Sequence, residues 1–79
     1  MKKIVVKLIE YGFSFNFEQR NSSGESIDVG EIDVEIHSYQ GIITFVHEGY
    51  EEEFEENEQS FDHICNKIEQ IMIDETSSF

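Results

Sequence analysis

The sequence is poor in residues that mark several common classes of protein. It has one cysteine, no proline, no tryptophan and only five lysines and arginines in 79 residues. The single cysteine, Cys65, cannot form an intramolecular disulfide, so nothing requires an oxidising compartment. Lys7 and Glu10 interrupt the apolar start of the chain, and no small-residue cleavage site follows, which argues against a signal peptide. No segment approaches the roughly 18 apolar residues of a membrane helix, so we expect a cytoplasmic protein.

The shortage of basic residues is uneven along the chain. No lysine or arginine occurs in the 46 residues between Arg20 and Lys67, and 13 of the 18 acidic residues lie there. Binding to nucleic acid or to an anionic membrane needs a basic patch, so we expect neither. The formal net charge is −13, whereas a net charge of magnitude roughly 2 to 8 is enough to keep a small domain soluble. Because self-repulsion costs folding stability, the excess indicates a functional acidic surface. The alternative is a solvated face that only keeps the protein soluble.

The chain length predicts one domain, residues 1–79, because so short a chain supports a single core. Seven phenylalanines and three tyrosines, with the aliphatic residues, are enough for a globular fold rather than a disordered one. A domain of this size buries only somewhat over about 60% of its unfolded surface. Its stability is therefore expected to be marginal, and a homodimer is one way to raise it.

Alternation of apolar and polar residues predicts strands within residues 2–56. The predicted strands are residues 3–10, 13–18, 31–37, 42–47 and 50–55. The polar residues 19–24 indicate a loop, and Gly41 can take the positive φ that closes a hairpin. In the last strand, Tyr50 and Phe54 share one face with a glutamate, and three other glutamates share the opposite face.

From Asn57 onward the apolar period changes from two to 3.6, which predicts a helix at about residues 58–74 with a frayed tail, residues 75–79. Asn57 or Ser60 can cap its start. The apolar stripe of the helix is Phe61, Ile64, Cys65, Ile68, Ile71 and Met72. The predicted fold class is α+β: a four- or five-stranded antiparallel meander with one C-terminal helix packed on its apolar face.

The residue types that could carry chemistry do not form a recognisable active site. General acid–base catalysis by carboxylates needs burial that separates their pKa values, which a water-exposed run does not supply. His63 and Cys65 are two residues apart and point to different faces of a helix, so Cys65 is expected in the core. Residues 28–33 lack the spacing of a calcium loop. His37 and His47 are expected to be ordinary strand residues. We expect no enzymatic activity, no cofactor and no metal site.

The acids themselves suggest a binding function. Alternate residues on a strand lie about 6.6 to 6.8 Å apart, a spacing comparable to that of successive phosphates in a nucleic acid. Residues 31–35 and 51–55 both offer such rows, which a basic DNA-binding cleft would attract. The predicted partner-binding residues are Glu31, Asp33, Glu35, Glu48, Glu51, Glu52, Glu53, Glu55, Glu56, Glu58 and Asp62.

The stretches EIDVE, residues 31–35, and YEEEFEENE, residues 50–58, together with the base-free middle, resemble the small acidic DNA-mimic inhibitors of bacteriophages and other mobile elements. That class includes anti-restriction proteins, some anti-CRISPR proteins, and inhibitors of uracil-DNA glycosylase and of nucleoid proteins. The resemblance is one of size and charge layout without a shared motif, so no residue is carried over by position. It implies a non-enzymatic inhibitor, in the host cytoplasm if phage-encoded, that occupies the DNA or RNA site of a basic protein.

Two other functions fit the same residues. An immunity or antitoxin protein would cap a basic nuclease-type toxin by the same electrostatics. Its affinity would depend on a few buried anchors such as Tyr39, Tyr50 or Phe54 inside a charged rim. A small subunit or adaptor protein would carry its acidity incidentally.

Overall fold

The computed structural model describes residues 2–19 and 24–76, which form two helices, five strands and one 3₁₀ turn. The elements are α1 (Lys2–Tyr11), β1 (Asn16–Gln19), β2 (Glu25–Val29), the 3₁₀ turn (Gly30–Ile32), β3 (Val34–Tyr39), β4 (Ile42–His47), β5 (Tyr50–Glu55) and α2 (Glu58–Thr76). The strands form one antiparallel sheet in the order β1-β2-β3-β4-β5. The predicted α+β class, with a five-stranded meander and a C-terminal helix, is confirmed.

Two tight turns set the register of the last three strands. Gln40 and Gly41 have φ values of 48° and 80°, and Glu48 and Gly49 have φ values of 50° and 86°. Two successive residues with positive φ define a type I′ turn, whose twist matches that of the flanking strands. The hairpin predicted at Gly41 is therefore confirmed, and a second hairpin of the same kind joins β4 to β5.

One face of the sheet, here called the helix-covered face, packs against both helices. Alternate strand residues and the i, i+4 positions of the helices meet there, as the two periodicities require. The core side chains are Ile4, Leu8, Ile27, Val29, Ile32, Val34, Ile36, Ile43, Phe45, Ile64, Cys65 and Ile68. Burial of one such aliphatic side chain stabilises the fold by about 1.5 to 3 kcal/mol. These contacts form the hydrophobic core of the described residues.

The strand predicted for residues 3–10 is wrong, because this segment is the helix α1. Ile4 and Leu8 are fully buried, whereas Val6 is 43% exposed. In a strand these three residues would share one face, but on a helix only the first and last of them do. The β-branched residues of this segment favour a strand only weakly, and packing of an apolar stripe beside α2 overrides that preference.

Two strands begin later than predicted. Phe13 and Phe15 precede β1 in irregular structure, although both still pack against the core, and Phe17 on β1 is 45% exposed. Residues 31–33 belong to the turn between β2 and β3, where Asp33 takes a left-handed conformation with φ 53°. The chain must reverse there because the last residue of β2 pairs with the first residue of β3.

The start of α2 has the predicted side-chain cap. Asn57 Oδ1 accepts a hydrogen bond from the Ser60 N–H at 2.9 Å, so Asn57 is the cap and Ser60 lies within the first turn. The helix continues to Thr76, two residues beyond the predicted end at residue 74. Residues 77–79 of the predicted tail, and residues 20–23 of the predicted loop, lie outside the described residues.

Substitutions in α1 can test the helix directly. We expect Ile4→Ala to lower the free energy of unfolding by about 2 to 5 kcal/mol, since it leaves a cavity in the core. Val6→Ala should change it by no more than about 0.5 kcal/mol, because Val6 is exposed and alanine favours helix. Urea unfolding followed by circular dichroism measures both values. A loss for Val6→Ala as large as that for Ile4→Ala would indicate a strand instead.

Candidate functional site

The candidate site is the face of the sheet opposite the helices, here called the open face. Its side chains alternate along each strand with those of the core, so the register of the sheet determines its composition. They are Asn16, Glu18, Ser26, Asp28, Glu35, His37, Tyr39, Ile42, Thr44, Val46, Glu51, Glu53 and Glu55. All are exposed or partly exposed, which leaves a broad surface available for contact with a partner.

Acidic side chains lie at both sides of the open face. On one side is the β5 row, which consists of Glu51, Glu53 and Glu55. On the other side, Asp28 and Glu35 are direct cross-strand neighbours on β2 and β3, and Glu18 lies on β1. Like charges in directly opposed positions destabilise a sheet. The acids on the open face therefore lower the stability of the sheet, and the fold does not require them there.

The lysines of the described residues lie on the helices. Lys2, Lys3 and Lys7 are on α1, and Lys67 is on α2. Because both helices cover the other face of the sheet, the described part of the open face carries no lysine or arginine. The only arginine, Arg20, is outside the described residues. Acids lie on both sides of the sheet, whereas the lysines lie on the helix-covered side alone.

Three of the four helix lysines, Lys3, Lys7 and Lys67, form ion pairs within the chain. Lys3 binds Asp62 and lies 3.4 Å from Glu58 Oε2, and its hydrogen bond to Asp62 raises the pKa of the Lys3 ammonium group. Lys7 lies 3.4 Å from Glu10, which raises the pKa of Lys7 in the same way. Both lysines are therefore fully charged at neutral pH.

Lys67 joins α2 to β5 on the helix-covered face. Its Nζ lies 2.7 Å from Glu52 Oε1 and 5.9 Å from the centre of the Phe45 ring. The contact neutralises Glu52, the one glutamate of β5 that points toward the helices. The charges of the β5 row, on the other side of the strand, have no such partner lysine.

The eleven acids predicted to bind a partner do not form one surface. Four of them lie on the open face, and these are Glu35, Glu51, Glu53 and Glu55. Glu52, Glu58 and Asp62 lie beside the helices and pair with lysines. Those three carboxylates therefore contribute much less than predicted to an acidic surface.

The remaining four predicted acids lie in turns or at strand ends. Glu31 Oε1 accepts a hydrogen bond from the Ser14 N–H at 2.7 Å, which ties the 3₁₀ turn to the segment after α1. Asp33 ends that turn, so the phosphate-like row predicted at residues 31–35 does not form. Glu48 lies in a type I′ turn, and Glu56 accepts a hydrogen bond from the buried Ser38 Oγ at 3.3 Å.

Glu18 and Asp28 belong to the open face although neither was among the predicted residues. Both could have been found from sequence. In ESIDV, residues 25–29, Ile27 and Val29 alternate with Ser26 and Asp28, and Glu18 ends the alternating run that contains β1. With Glu35 they line a shallow hollow of about 430 Å³ on the open face.

Three apolar side chains of β3 and β4 lie on the open face. Tyr39 and Ile42 are cross-strand neighbours on β3 and β4, 49% and 41% exposed. Val46 lies further along β4 and is partly exposed. Of the three predicted anchors, only Tyr39 is here. Tyr50 and Phe54 point to the helix-covered side, where the Phe54 ring packs edge-on against His63 at 5.2 Å.

The groups that could carry out catalysis or bind a metal are dispersed. Within residues 2–19 and 24–76, no three His, Cys, Asp or Glu side chains are placed to hold a metal ion. Cys65 is a buried free thiol whose pKa is raised by burial, which keeps it protonated. His37 Nε2 lies 3.5 Å from Glu35 Oε2 on the open face. None of these contacts forms a nucleophile with an adjacent base.

The fold and the open face define a small α+β protein whose uncovered sheet surface is acidic. Comparison with protein-family models, with curated proteins and with solved structures gave no match to this chain. Neither described helix has the length and apolar character needed to cross a membrane.

The acids of the β5 row should reduce stability rather than support it. We expect the triple substitution of Glu51, Glu53 and Glu55 by glutamine to raise the free energy of unfolding by roughly 1 kcal/mol, because it removes repulsion between like charges about 6.8 Å apart along the strand. Glu52→Gln, on the same strand, should lower it by about 0.2 to 1 kcal/mol, since the contact with Lys67 is lost. Urea titrations at low salt compare the variants. A triple variant less stable than the wild type would show that the row has a structural role.

Cys65 should be chemically inert in the folded protein. We expect a thiol reagent such as iodoacetamide to label it at least about tenfold more slowly at pH 8 than in urea, because burial keeps the thiol protonated and inaccessible. The pKa is raised from its ordinary value of 9.0. Burial of the protonated thiol therefore makes its full contribution to the free energy of unfolding below about pH 9, the ordinary pKa. That contribution declines as the pH rises through the higher pKa of Cys65 in the folded protein. Rapid labelling of the native protein would indicate a reactive nucleophile.

Proposed function

We propose that this protein is a non-enzymatic inhibitor that occupies the nucleic-acid-binding site of a basic protein, with its open face in place of a DNA or RNA backbone. The observation that carries the proposal is the composition of the open face, which has acids and, within the described residues, no lysine or arginine. Six acids lie on this face, and the lysines of the described residues lie on the helices at the opposite side. A surface of one sign opposes binding to nucleic acid and favours binding to whatever nucleic acid binds.

The sheet holds these carboxylates in a fixed array. Neighbouring members of the β5 row are about 6.8 Å apart along the strand, and β3 lies about 9.6 Å from β5 across the sheet. Because the backbone is already ordered by its ladder of hydrogen bonds, little conformational entropy is lost when a partner binds. A flexible acidic tail of the same charge would lose more.

Because the carboxylates are closely spaced, their electrostatic potentials add up in solution. At physiological ionic strength the Debye length is about 8 Å, so the potentials of neighbouring carboxylates overlap. Such a field accelerates encounter with a basic cleft. The association rate should therefore fall steeply with added salt.

The hollow beside β1 adds a local contact for a basic side chain. Glu18, Asp28 and Glu35 line it, and its volume of about 430 Å³ is sufficient for a guanidinium group and its stem. An arginine that normally binds a phosphate can bind a carboxylate in the same bidentate geometry. The open face thus offers both a long-range field and a specific receptor for one arginine.

The targets that fit are restriction or CRISPR effectors, DNA-repair enzymes, polymerases and nucleoid proteins. All of these have a basic groove for nucleic acid and are encountered in the cytoplasm of a bacterial host. We therefore place the protein in that compartment, encoded by a phage or another mobile element.

An immunity protein against a basic nuclease-type toxin is the second candidate, favoured by one observation. Tyr39 and Ile42 form an exposed apolar pair beside the turn that joins β3 to β4, and Glu55 of β5 lies next to Ile42. In strong protein–protein interfaces a few aromatic or apolar side chains often supply most of the affinity, and polar residues surround them. A pure imitation of the DNA backbone does not need such a pair.

Affinity capture from bacterial lysate can test the proposal. The bait is the intact protein, compared with a variant in which Glu35, Glu51, Glu53 and Glu55 are replaced by glutamine. We expect the wild type to retain a basic DNA-binding protein that excess duplex DNA or high salt releases, and the variant to retain at least about tenfold less, since the contacts are electrostatic.

A matched control removes four acids away from the open face, with glutamine at Glu48, Glu56, Glu58 and Glu69. Both variants are four charges less negative than the wild-type value of −13, so their net charge is the same and the acids are removed from different surfaces. Thermal unfolding of both variants checks that the loss of the Lys3–Glu58 contact leaves the control folded. Equal capture by both variants would contradict the proposal. A partner that resists DNA and is lost after Tyr39→Ala or Ile42→Ala alone would favour the immunity protein.

A further inference from the structure

The outer edge of β5 has backbone groups that no described strand uses. β5 ends the sheet and pairs only with β4. The two residues that flank a two-residue type I′ turn form a hydrogen-bonded pair. Along the hairpin, hydrogen-bonded pairs then alternate with pairs that are not hydrogen-bonded to each other. The hydrogen bond from the Glu56 N–H to the Gly41 carbonyl, at 2.8 Å, belongs to the same series. Tyr50, Glu52 and Phe54 therefore bond to β4, and the N–H and carbonyl groups of the β5 row point outward.

This edge lacks most of the usual protection against strand addition. Natural edge strands are kept short, interrupted by a bulge, or given lysine or proline. β5 has six residues, pairs in regular register, and contains neither lysine nor proline. Its protection is acidic charge alone. Pairing with β5 of a second copy would bring two rows of glutamates together, which is unfavourable, so the expected homodimer must use another surface.

The two faces of β5 differ in a way that specifies the added strand. On the open face lies the β5 row. On the other side lie Tyr50, which is 80% exposed, and Glu52, which Lys67 neutralises. Beside Tyr50 is a groove of about 370 Å³ between the sheet and α2. Its lining combines the apolar side chains of Phe45 and Ile71 with the polar His47, Glu52, Lys67, Gln70 and Asp74. A strand laid along β5 would meet carboxylates on one face and, on the other, the Tyr50 ring and a groove that contains apolar side chains.

We propose that the edge of β5 binds a basic, amphipathic β-strand of a partner protein, which adds to the sheet as a sixth strand. Lysines or arginines at alternate positions meet the β5 row, and the intervening apolar side chains cover Tyr50 and enter the groove. Main-chain hydrogen bonds supply affinity, and the alternating pattern supplies specificity. This binding mode goes beyond imitation of DNA, because it adds main-chain hydrogen bonds at the strand edge to the contacts with the β5 row and needs no competition with nucleic acid.

A synthetic peptide of seven residues, Lys-Val-Lys-Val-Lys-Val-Lys, is a direct probe. We expect its titration into the ¹⁵N-labelled protein to shift the amide resonances of Glu51, Glu53 and Glu55 and to slow their hydrogen exchange. The same peptide with serine in place of valine has equal charge and no apolar face. It should bind at least about tenfold more weakly, a difference of 1.4 kcal/mol.

Two substitutions at one position separate backbone pairing from charge. Glu53→Pro removes one outward N–H, which an edge strand tolerates, and should weaken peptide binding about tenfold or more. Glu53→Gln keeps the N–H and should weaken binding by only about two- to threefold, since one of several charges is lost. If Glu53→Pro lowers thermal stability, the wild-type protein is tested with a peptide N-methylated at alternate residues, which should bind as weakly as the proline variant.

Two results would overturn strand addition. The first is equal affinity for the valine, serine and N-methylated peptides, which would show electrostatic association only. The second is protection of the β5 amides without peptide, together with a dimer in sedimentation, which would show that a second copy occupies the edge. Both results leave competition with duplex DNA unaffected, so failure of this inference and failure of the proposed function can be told apart.

Discussion

The packing of two helices onto a single face of the sheet is the interaction on which the rest of the structure depends. It buries the twelve apolar side chains of the core from residues throughout the described chain. A chain of 79 residues supplies enough apolar surface for one such layer and not for two. The second face must stay in water, a condition that antiparallel sheets accept readily. The open face is thus the face that the apolar residues of the described chain leave uncovered.

The lysines and the acids of the described residues are distributed differently between the two faces of this sheet. On the helix side, Lys3 contacts Glu58 and Asp62 and so joins α1 to α2. Lys67 contacts Glu52 and joins α2 to β5. The β5 row, on the open face, forms no ion pair with a lysine of the described residues. The carboxylates on the two faces of β5 therefore differ: Glu52 stabilises the fold through its ion pair, and those of the β5 row repel one another.

The parts of the fold that follow from a clear period could be predicted from the sequence. β4, β5 and α2 have unambiguous alternation or helical spacing, and the Asn57 cap has its own local chemistry. α1 could not be predicted, because its short apolar run suits either element and only packing beside α2 decides between them. The placement of Glu31 and Asp33 was wrong because a reversal of the chain interrupts an apparently continuous alternation. Glu18 and Asp28 could have been assigned to the open face from alternation alone.

The contact between α1 and α2 has a consequence for how the protein is made. The ribosome synthesises α1 before the sheet and α2 after it, yet the two helices lie side by side, and Lys3 binds Asp62. While α2 is still inside the exit tunnel, α1 alone can cover the apolar face of the sheet, and the part that packs against α2 remains exposed. Completion of the core requires contacts between residues far apart in the sequence, and contacts of this kind slow folding. The nascent chain is therefore expected to reach its native state only after α2 has left the ribosome.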